Sequence, residues 1–435
     1  MFKLLKTIKI FGTGTLRLGT YSKNRTTILT PTYFFISNFG GGGTNVSRFI
    51  TYMDLFSSGE SQLLLNYYYL NVDFKKALGF DLDELTTLKS KGDIMNFFDG
   101  VRKRFIVKGK SIPGYTSKNA SWNPELLLDS GSGNIFRDLI KEGKLSAKNF
   151  KEIYDAEVKK YLAFGEEHNF DILVAMDVAP KYTQKQGEQD DASYKSNLSS
   201  FKSSNNDLLK ITLDNITDKN KLLVYAPIHG TTPQEYETYV EGILLLEKKL
   251  NKKFSGFAIG GLGNLSDRTS YDICKIVRNK LTNLKDYRPI HVLGAGSVKN
   301  IIPMSILGVD SFDCHSPWRR ASEGKYITPL INSNGKIVTN KSNFWRYESI
   351  SIFADEDFTC DCLVCKSYSL NDLKEIYKKG SEYAYFAKIL FFKHNISQQE
   401  FTLKAVRDGK LDEIIKNMPK SKYKEFLTDF ISTIT

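Results

Sequence analysis

The sequence predicts an α/β chain: a closed (β/α)8 TIM barrel with an inserted structural zinc-binding subdomain and C-terminal helices. Three observations predict it. Short apolar runs each end in a polar residue or glycine, stretches with helical spacing separate them, and a cluster of cysteines follows where that rhythm stops. Apolar strands alternating with helices read as a parallel sheet covered by helices on both faces. At least six repeats of the unit favour closure over an open sheet.

The runs are 125–128, ending at Asp129; 170–176, ending at Asp177; 222–228, ending at His229; 254–259, ending at Gly260 and Gly261; 290–293, ending at Gly294; and 309–312, ending at Asp313. Helical stretches cover Lys148–Glu167, Thr232–Leu250, Asp267–Leu281 and Ser297–Leu307. The second opens Thr-Thr-Pro, which suits an N-cap followed by proline in the first turn. Catalytic groups of such barrels sit at the C-terminal ends of the strands, where these polar residues fall. Three aspartates at three strand ends suit a catalytic site, because neighbouring carboxylates push their pKa values apart.

Thr30–Phe34 reads as a strand, followed by a flexible turn at Gly40–Gly43. Lys181–Asp207 is polar with little to bury and reads as a loop on the catalytic face or a disordered insertion. From Asn343 the barrel rhythm stops. A division into a catalytic barrel, 1–345, and a zinc subdomain with a helical tail, 346–435, follows.

Among 435 residues, Lys and Arg number 61 and Asp and Glu 49, a formal charge of +12. A basic surface favours polyanionic partners, nucleic acid first among them. No apolar run reaches the roughly 18 residues that span a bilayer. Met1–Ile10 alternates Lys with apolar residues and is too broken for a secretory signal, so a cytoplasmic protein without a membrane partner is expected. No P-loop or dinucleotide fingerprint occurs.

Five cysteines are present, and Cys360, Cys362 and Cys365 lie within six positions. An odd, clustered count argues for metal over disulfides. With His394 they supply three thiolates and an imidazole, the ligand set of a closed tetrahedral zinc site. No position is left for a reacting water, so the expected Zn2+ is structural.

Several segments together resemble the tRNA-guanine transglycosylase family. Cys360-Asp-Cys-Leu-Val-Cys365 with His394 is similar to its C-x-C-x-x-C…H zinc motif. Gly308-Val-Asp-Ser-Phe-Asp-Cys-His-Ser-Pro-Trp-Arg319 resembles its G-[IV]-D-x-F-D-C-x-x-P-T-R segment. Leu128-Asp-Ser-Gly131 resembles the start of its D-S-G-G-[FY]-Q motif, Ala258-Ile-Gly-Gly-Leu262 its A-I-G-G-L, and Leu65–Leu70 its L-x-N-T-Y-H-L. The resemblance runs from about Arg17 to His394 in the family's order. It implies Asp313 as the nucleophile at the sugar C1′ and Asp129 as general acid/base. It further implies that Asp177 reads the guanine edge, that the backbone at Gly260, Gly261 and Leu262 meets the base carbonyl, and that Arg319 and Arg320 neutralise phosphates.

Two departures bear on substrate. Gly133 stands where the family has a stacking aromatic, which leaves Phe136 and Phe312 as candidates for that wall. His229 stands where a base-reading glutamine is expected. These changes point to the divergent branch of DNA-guanine transglycosylases of bacteria and phages. The expected partners are DNA, or alternatively tRNA, and a 7-deazaguanine base such as 7-cyano-7-deazaguanine. Another alternative is a non-catalytic accessory subunit, against which the retention of Asp129 and Asp313 argues. A homodimer or a partner protein are both compatible with the sequence.

Overall fold

The computed structural model describes residues 2–10, 14–23, 26–37, 62–70, 124–146, 148–178, 205–216, 222–338, 345–357 and 359–434. Three strands, β1 (Phe2–Ile10), β2 (Gly14–Lys23) and β3 (Thr26–Thr30), form an antiparallel meander that the sequence reading had not assigned. Eight parallel strands then close a barrel. They are β4 (Thr32–Ser37), β5 (Gln62–Asn66), β6 (Leu126–Asp129), β7 (Ile172–Val174), β8 (Leu223–Ile228), β9 (Gly256–Ile259), β10 (Ile290–Val292) and β11 (Ser311–Asp313). Closure is made by β11 against β4, with Asp313 paired to Phe34 and Ser311 to Thr32. The predicted barrel is therefore present. Its first two strands are the Thr-Pro segment and the Leu-rich segment at 62–66.

The alternation of side chains explains the continuous apolar runs. Phe34, Leu64, Leu127, Ile172, Val174, Tyr225 and Ala258 fill the barrel interior. Their neighbours Phe35, Leu65, Leu128, Leu173, Val224, Phe257 and Phe312 face the surrounding helices. Both faces are buried, so polar alternation has no place to appear. The same period of two, continued one step past Leu64, Leu127 and Ser311, carries Asn66, Asp129 and Asp313 inward at the C-terminal mouth.

The helices form for local reasons. In Pro233–Leu250 the Thr232 side chain accepts from Glu235 N, proline holds the first turn, and Asn251 ends the helix in the left-handed region at φ 52°. Ser266 caps Asp267–Asn283 by accepting from Thr269 N. Phe150–Glu167 approaches β7 closely at Gly165, where a Cβ would stand 2.5 Å from Leu173. Residues 205–215 are helical, and Asn205 exchanges hydrogen bonds with the Val178 backbone. The polar stretch read as a loop through Asp207 thus ends by 205; its part at 181–204 lies outside the described residues, as do Gly40–Gly43.

Opposite the mouth, Asp310 is fully buried between Arg278 and Arg17, with Arg278 Nη2 2.8 Å away and Ile290 N donating at 2.8 Å. This network ties β2 to the starts of β10 and β11. Beyond the barrel lie β12 (Lys325–Ile327), β13 (Tyr347–Ser349) and five further helices, of which Ser381–Arg407 is the longest. Phe392 on that helix packs against Phe35 and Trp318. Two of its buried amide oxygens are used: Asn395 Oδ1 accepts from Ile327 N at 2.9 Å, and Gln398 Oε1 accepts from Leu330 N and Trp345 Nε1. No helix among the described residues is long and apolar enough to cross a membrane.

Candidate active site and metal centre

Asp129 and Asp313 are the last residues of β6 and β11, and Asp177 lies three residues beyond β7. The three converge on the mouth. Burial, then Asp177, then Asp313 push the Asp129 carboxyl up to about 6, against the pull of Asn66 and the Gly131 backbone. Asn66, directly across the ladder from Asp129, donates to its Oδ2 at 2.6 Å. Gly131 follows at φ 61°, where a Cβ would stand 2.5 Å from Asn66 Oδ1. Glycine there admits both the left-handed turn and the asparagine.

Asp177 is held from two sides. Ser132 Oγ donates to its Oδ1 at 3.0 Å and accepts from its backbone N at 3.3 Å. His229, one residue past β8, presses Nε2 against its Oδ2. The His229 ring leaves no room for a side chain at Gly260, whose Cβ would stand 2.2 Å from Cε1. His229 is buried, and its Nδ1 has no hydrogen-bond partner among the described residues. The Gly260 carbonyl is taken by Tyr236 Oη at 2.6 Å. Gly261 adopts φ 79° ahead of the short turn Leu262–Asn264, and Leu262 itself is buried in the core.

Asp313 is buried and receives the Gly294 N–H at 3.1 Å from each carboxylate oxygen. His291 Nε2 lies 3.0 Å from its Oδ1, and His291 Nδ1 lies 2.9 Å from Ser311 Oγ. No motif or spacing in the sequence assigns a role to Asn66, Ser132, His291 or Ser311. The available signal for His291 and Ser311 was a polar residue at an inward position of an apolar strand.

The two arginines differ. Both leave the helix Ser316–Ser322 near its end, but Arg320 pairs with Glu323 at 3.1 Å while Arg319 is exposed without an ion pair among the described residues. Of the two aromatics expected as a stacking wall, Phe312 does not face the mouth. Phe312 points outward into the helix-facing core, as its position between Ser311 and Asp313 dictates, and Phe136 is buried against Tyr154. Among the described residues nothing lies within 4 Å of where a Cβ at Gly133 would stand, while Leu293, just past β10, is half-buried against the barrel interior.

The predicted zinc ligands come together. The sulfurs of Cys360, Cys362 and Cys365 and Nδ1 of His394 all lie within 4.8 Å of one another. Nδ1 is 3.9, 3.4 and 3.4 Å from the three sulfurs in turn. Tetrahedral zinc, with its usual bond lengths, separates N and S ligands by about 3.6 Å, so the donor set fits the ion. His394 Nε2 bonds to Ile327 O at 2.8 Å, which fixes its proton there and turns the Nδ1 lone pair toward the sulfurs. Tyr326 stacks on the imidazole at 3.7 Å and bonds to Cys365 Sγ at 3.0 Å.

Asp129 makes a testable link between chemistry and stability. Its carboxyl is raised from the ordinary value to about 6, so the folded state favours the protonated form. The stability it contributes is complete below about pH 4 and is lost as pH rises through about 6, at most about 3 kcal/mol. Asp129→Asn is therefore expected to melt above wild type at pH 8 and level with it below pH 4. Equal melting temperatures at both pH values would refute the burial of a costly charge.

Fold and site define a class: a (β/α)8-barrel protein with a three-carboxylate mouth and a Cys3His cluster able to hold a metal ion. The sequence profile of one family, described as Queuine tRNA-ribosyltransferase, matches residues 13–426. The chain belongs to that family. It is 34% identical over 135 residues to a queuine tRNA-ribosyltransferase of Thermodesulfovibrio yellowstonii, covering 31% of this chain and 32% of that one. For the protein of that name in Caldanaerobacter subterraneus it is 30% over 183 residues, 41% and 44% of the two chains. For that of Francisella tularensis it is 26% over 212 residues, 47% and 52%. The matched segments thus span 32% to 52% of these relatives' lengths.

Proposed function

We propose that this protein exchanges a guanine in nucleic acid for a 7-deazaguanine through an ester between Asp313 and the sugar. The observation that carries the reading is the gathering of Asp129, Asp177 and Asp313 at one mouth, with Asp129 pushed up to about 6. Base exchange needs one ionised carboxylate at C1′ and a second carboxylate that holds a usable proton. Asp313 attacks C1′ as the bond to the base nitrogen breaks and its electron pair leaves with guanine. Asp129 gives that nitrogen a proton. An incoming base returns a proton to Asp129, bonds to C1′ through the same nitrogen, and Asp313 departs as carboxylate.

The remaining residues position the substrate. Asp177 accepts from the N1–H and exocyclic amine that only a guanine-like edge offers. The unbonded His229 Nδ1 faces the purine or its 7-substituent. The backbone at Gly260, Gly261 and Leu262 approaches the base, and Leu293 gives it an apolar face. Arg319, which has no ion pair among the described residues, takes a phosphate, with Arg320 supporting from its ion pair. Zn2+ on Cys360, Cys362, Cys365 and His394 is structural: it holds the helix Ser381–Arg407 to the turn that carries the thiolates.

DNA is the proposed polymer, because the departures at Gly133 and His229 cluster in the base pocket. The enzyme must then extrude its guanine or take single strands. A second reading, tRNA, is supported by the names of the relatives. Incorporation of radiolabelled guanine into duplex DNA and into tRNA separates them. Label in DNA alone is expected. Label in tRNA alone would overturn the DNA assignment, and label in neither would favour a non-catalytic subunit.

A further inference from the structure

Six strands fill the barrel interior with apolar or aromatic side chains, Phe34, Leu64, Leu127, Ile172, Val174, Tyr225 and Ala258. The other two place His291 and Ser311 there, fully buried and paired across the β10–β11 ladder. A buried imidazole and hydroxyl are costly unless each is bonded. Theirs are bonded in a column: Ser311 Oγ to His291 Nδ1 at 2.9 Å, and Nε2 to Asp313 Oδ1 at 3.0 Å. The edge of the ring lies against Phe34, with the planes at 86°. Nothing in an apolar interior calls for this column except the carboxylate at its top.

We infer that His291 is a positioning residue that holds Asp313 for attack and helps it leave. An ionised carboxylate only accepts, so the nitrogen facing it carries a proton. His291 Nε2–H therefore donates to Oδ1, and Ser311 keeps the ring from turning over. The Gly294 N–H bridges both oxygens from the side. With Oδ1 tied down, Oδ2 is the atom presented to C1′, and Oδ1 becomes the ester carbonyl. A hydrogen bond to a carboxylate is stronger than one to an ester. The Nε2–H thus stabilises the carboxylate that reforms when the sugar–oxygen bond breaks. It favours breakdown of the covalent intermediate over its accumulation.

This inference rests on Asp313 being the nucleophile, and the test keeps the two apart. Exchange and trapped covalent adduct are measured for wild type, Asp313→Ala, His291→Phe and His291→Gln. Asp313→Ala should be inactive and form no adduct; if it is active, the nucleophile assignment fails. His291→Phe should lower exchange by about a hundredfold, with KM little changed and a larger fraction of enzyme trapped as adduct. His291→Gln, whose amide nitrogen reaches the same place, should restore most of the rate. An active His291→Phe beside an inactive Asp313→Ala would overturn the positioning role alone. Nitrogen-15 NMR of histidine-labelled protein tests the geometry without turnover. An Nε2 proton at His291, shifted by Asp313→Asn, is expected; a proton on Nδ1 alone would overturn the inference.

Discussion

Asp313→Ala is expected to lower base exchange at least about 10⁴-fold, the scale on which loss of a nucleophile is felt, while the barrel stays folded. The carboxylate sits at the end of β11, paired to Phe34 across the seam that closes the barrel. Removing it leaves His291 Nε2 and Gly294 N without their acceptor. An unpaired buried donor costs about 1–3 kcal/mol, below the about 5–15 kcal/mol that holds an ordinary domain. Loss of exchange with an unchanged circular dichroism spectrum and a melt lowered by only a few degrees is the expected result. Activity within tenfold of wild type would sink the covalent mechanism. Unfolded protein would instead show that the Asp313–His291 pair closes the barrel, and Asp313→Asn, which keeps an acceptor oxygen, would then separate the two roles.

Cys362→Ser is expected to remove metal and soluble protein together. Cys362 is the most buried of the three thiols, 2% exposed, and packs in the core with Val364, Leu370 and Leu373. It also caps the helix Leu363–Ser367, accepting from Cys365 N at 3.5 Å. Structural zinc contributes about 10 kcal/mol or more to folding, comparable with the whole stability of a domain. The helix that carries His394, Ser381–Arg407, packs through Phe392 on Phe35 of β4. Losing the staple should therefore loosen the barrel as well as the metal site. Metal content by atomic emission, the soluble fraction and the melt with and without chelator are the measurements. A metal-replete, fully stable Cys362→Ser protein would contradict a structural role.

The sequence by itself determined the barrel, because strands buried on both faces must be apolar without interruption and end where polar loops begin. It also picked out the four residues that the fold gathers into a set able to hold a metal, since three thiols on one turn are legible as a spacing, and His394 entered with them. It placed Asp129 and Asp313 at strand ends and Asp177 shortly after an apolar run, which the structure puts three residues beyond β7.

Only the tertiary structure decided the rest. The wall candidate Phe312 failed because the direction of a side chain depends on the register of the strand, which a run of apolar letters does not record. The polar stretch Lys393–Glu400 looks like a solvent face, yet Asn395 and Gln398 lie buried against the backbone of residues 327 and 330. Local sequence cannot reveal partners some 68 positions away. His291 is the clearest case. Along the chain it is one polar residue in a short strand. Closure of the barrel stacks it under Asp313, 22 positions on, and in a buried interior a hydrogen bond between them is the outcome that leaves neither group unpaired.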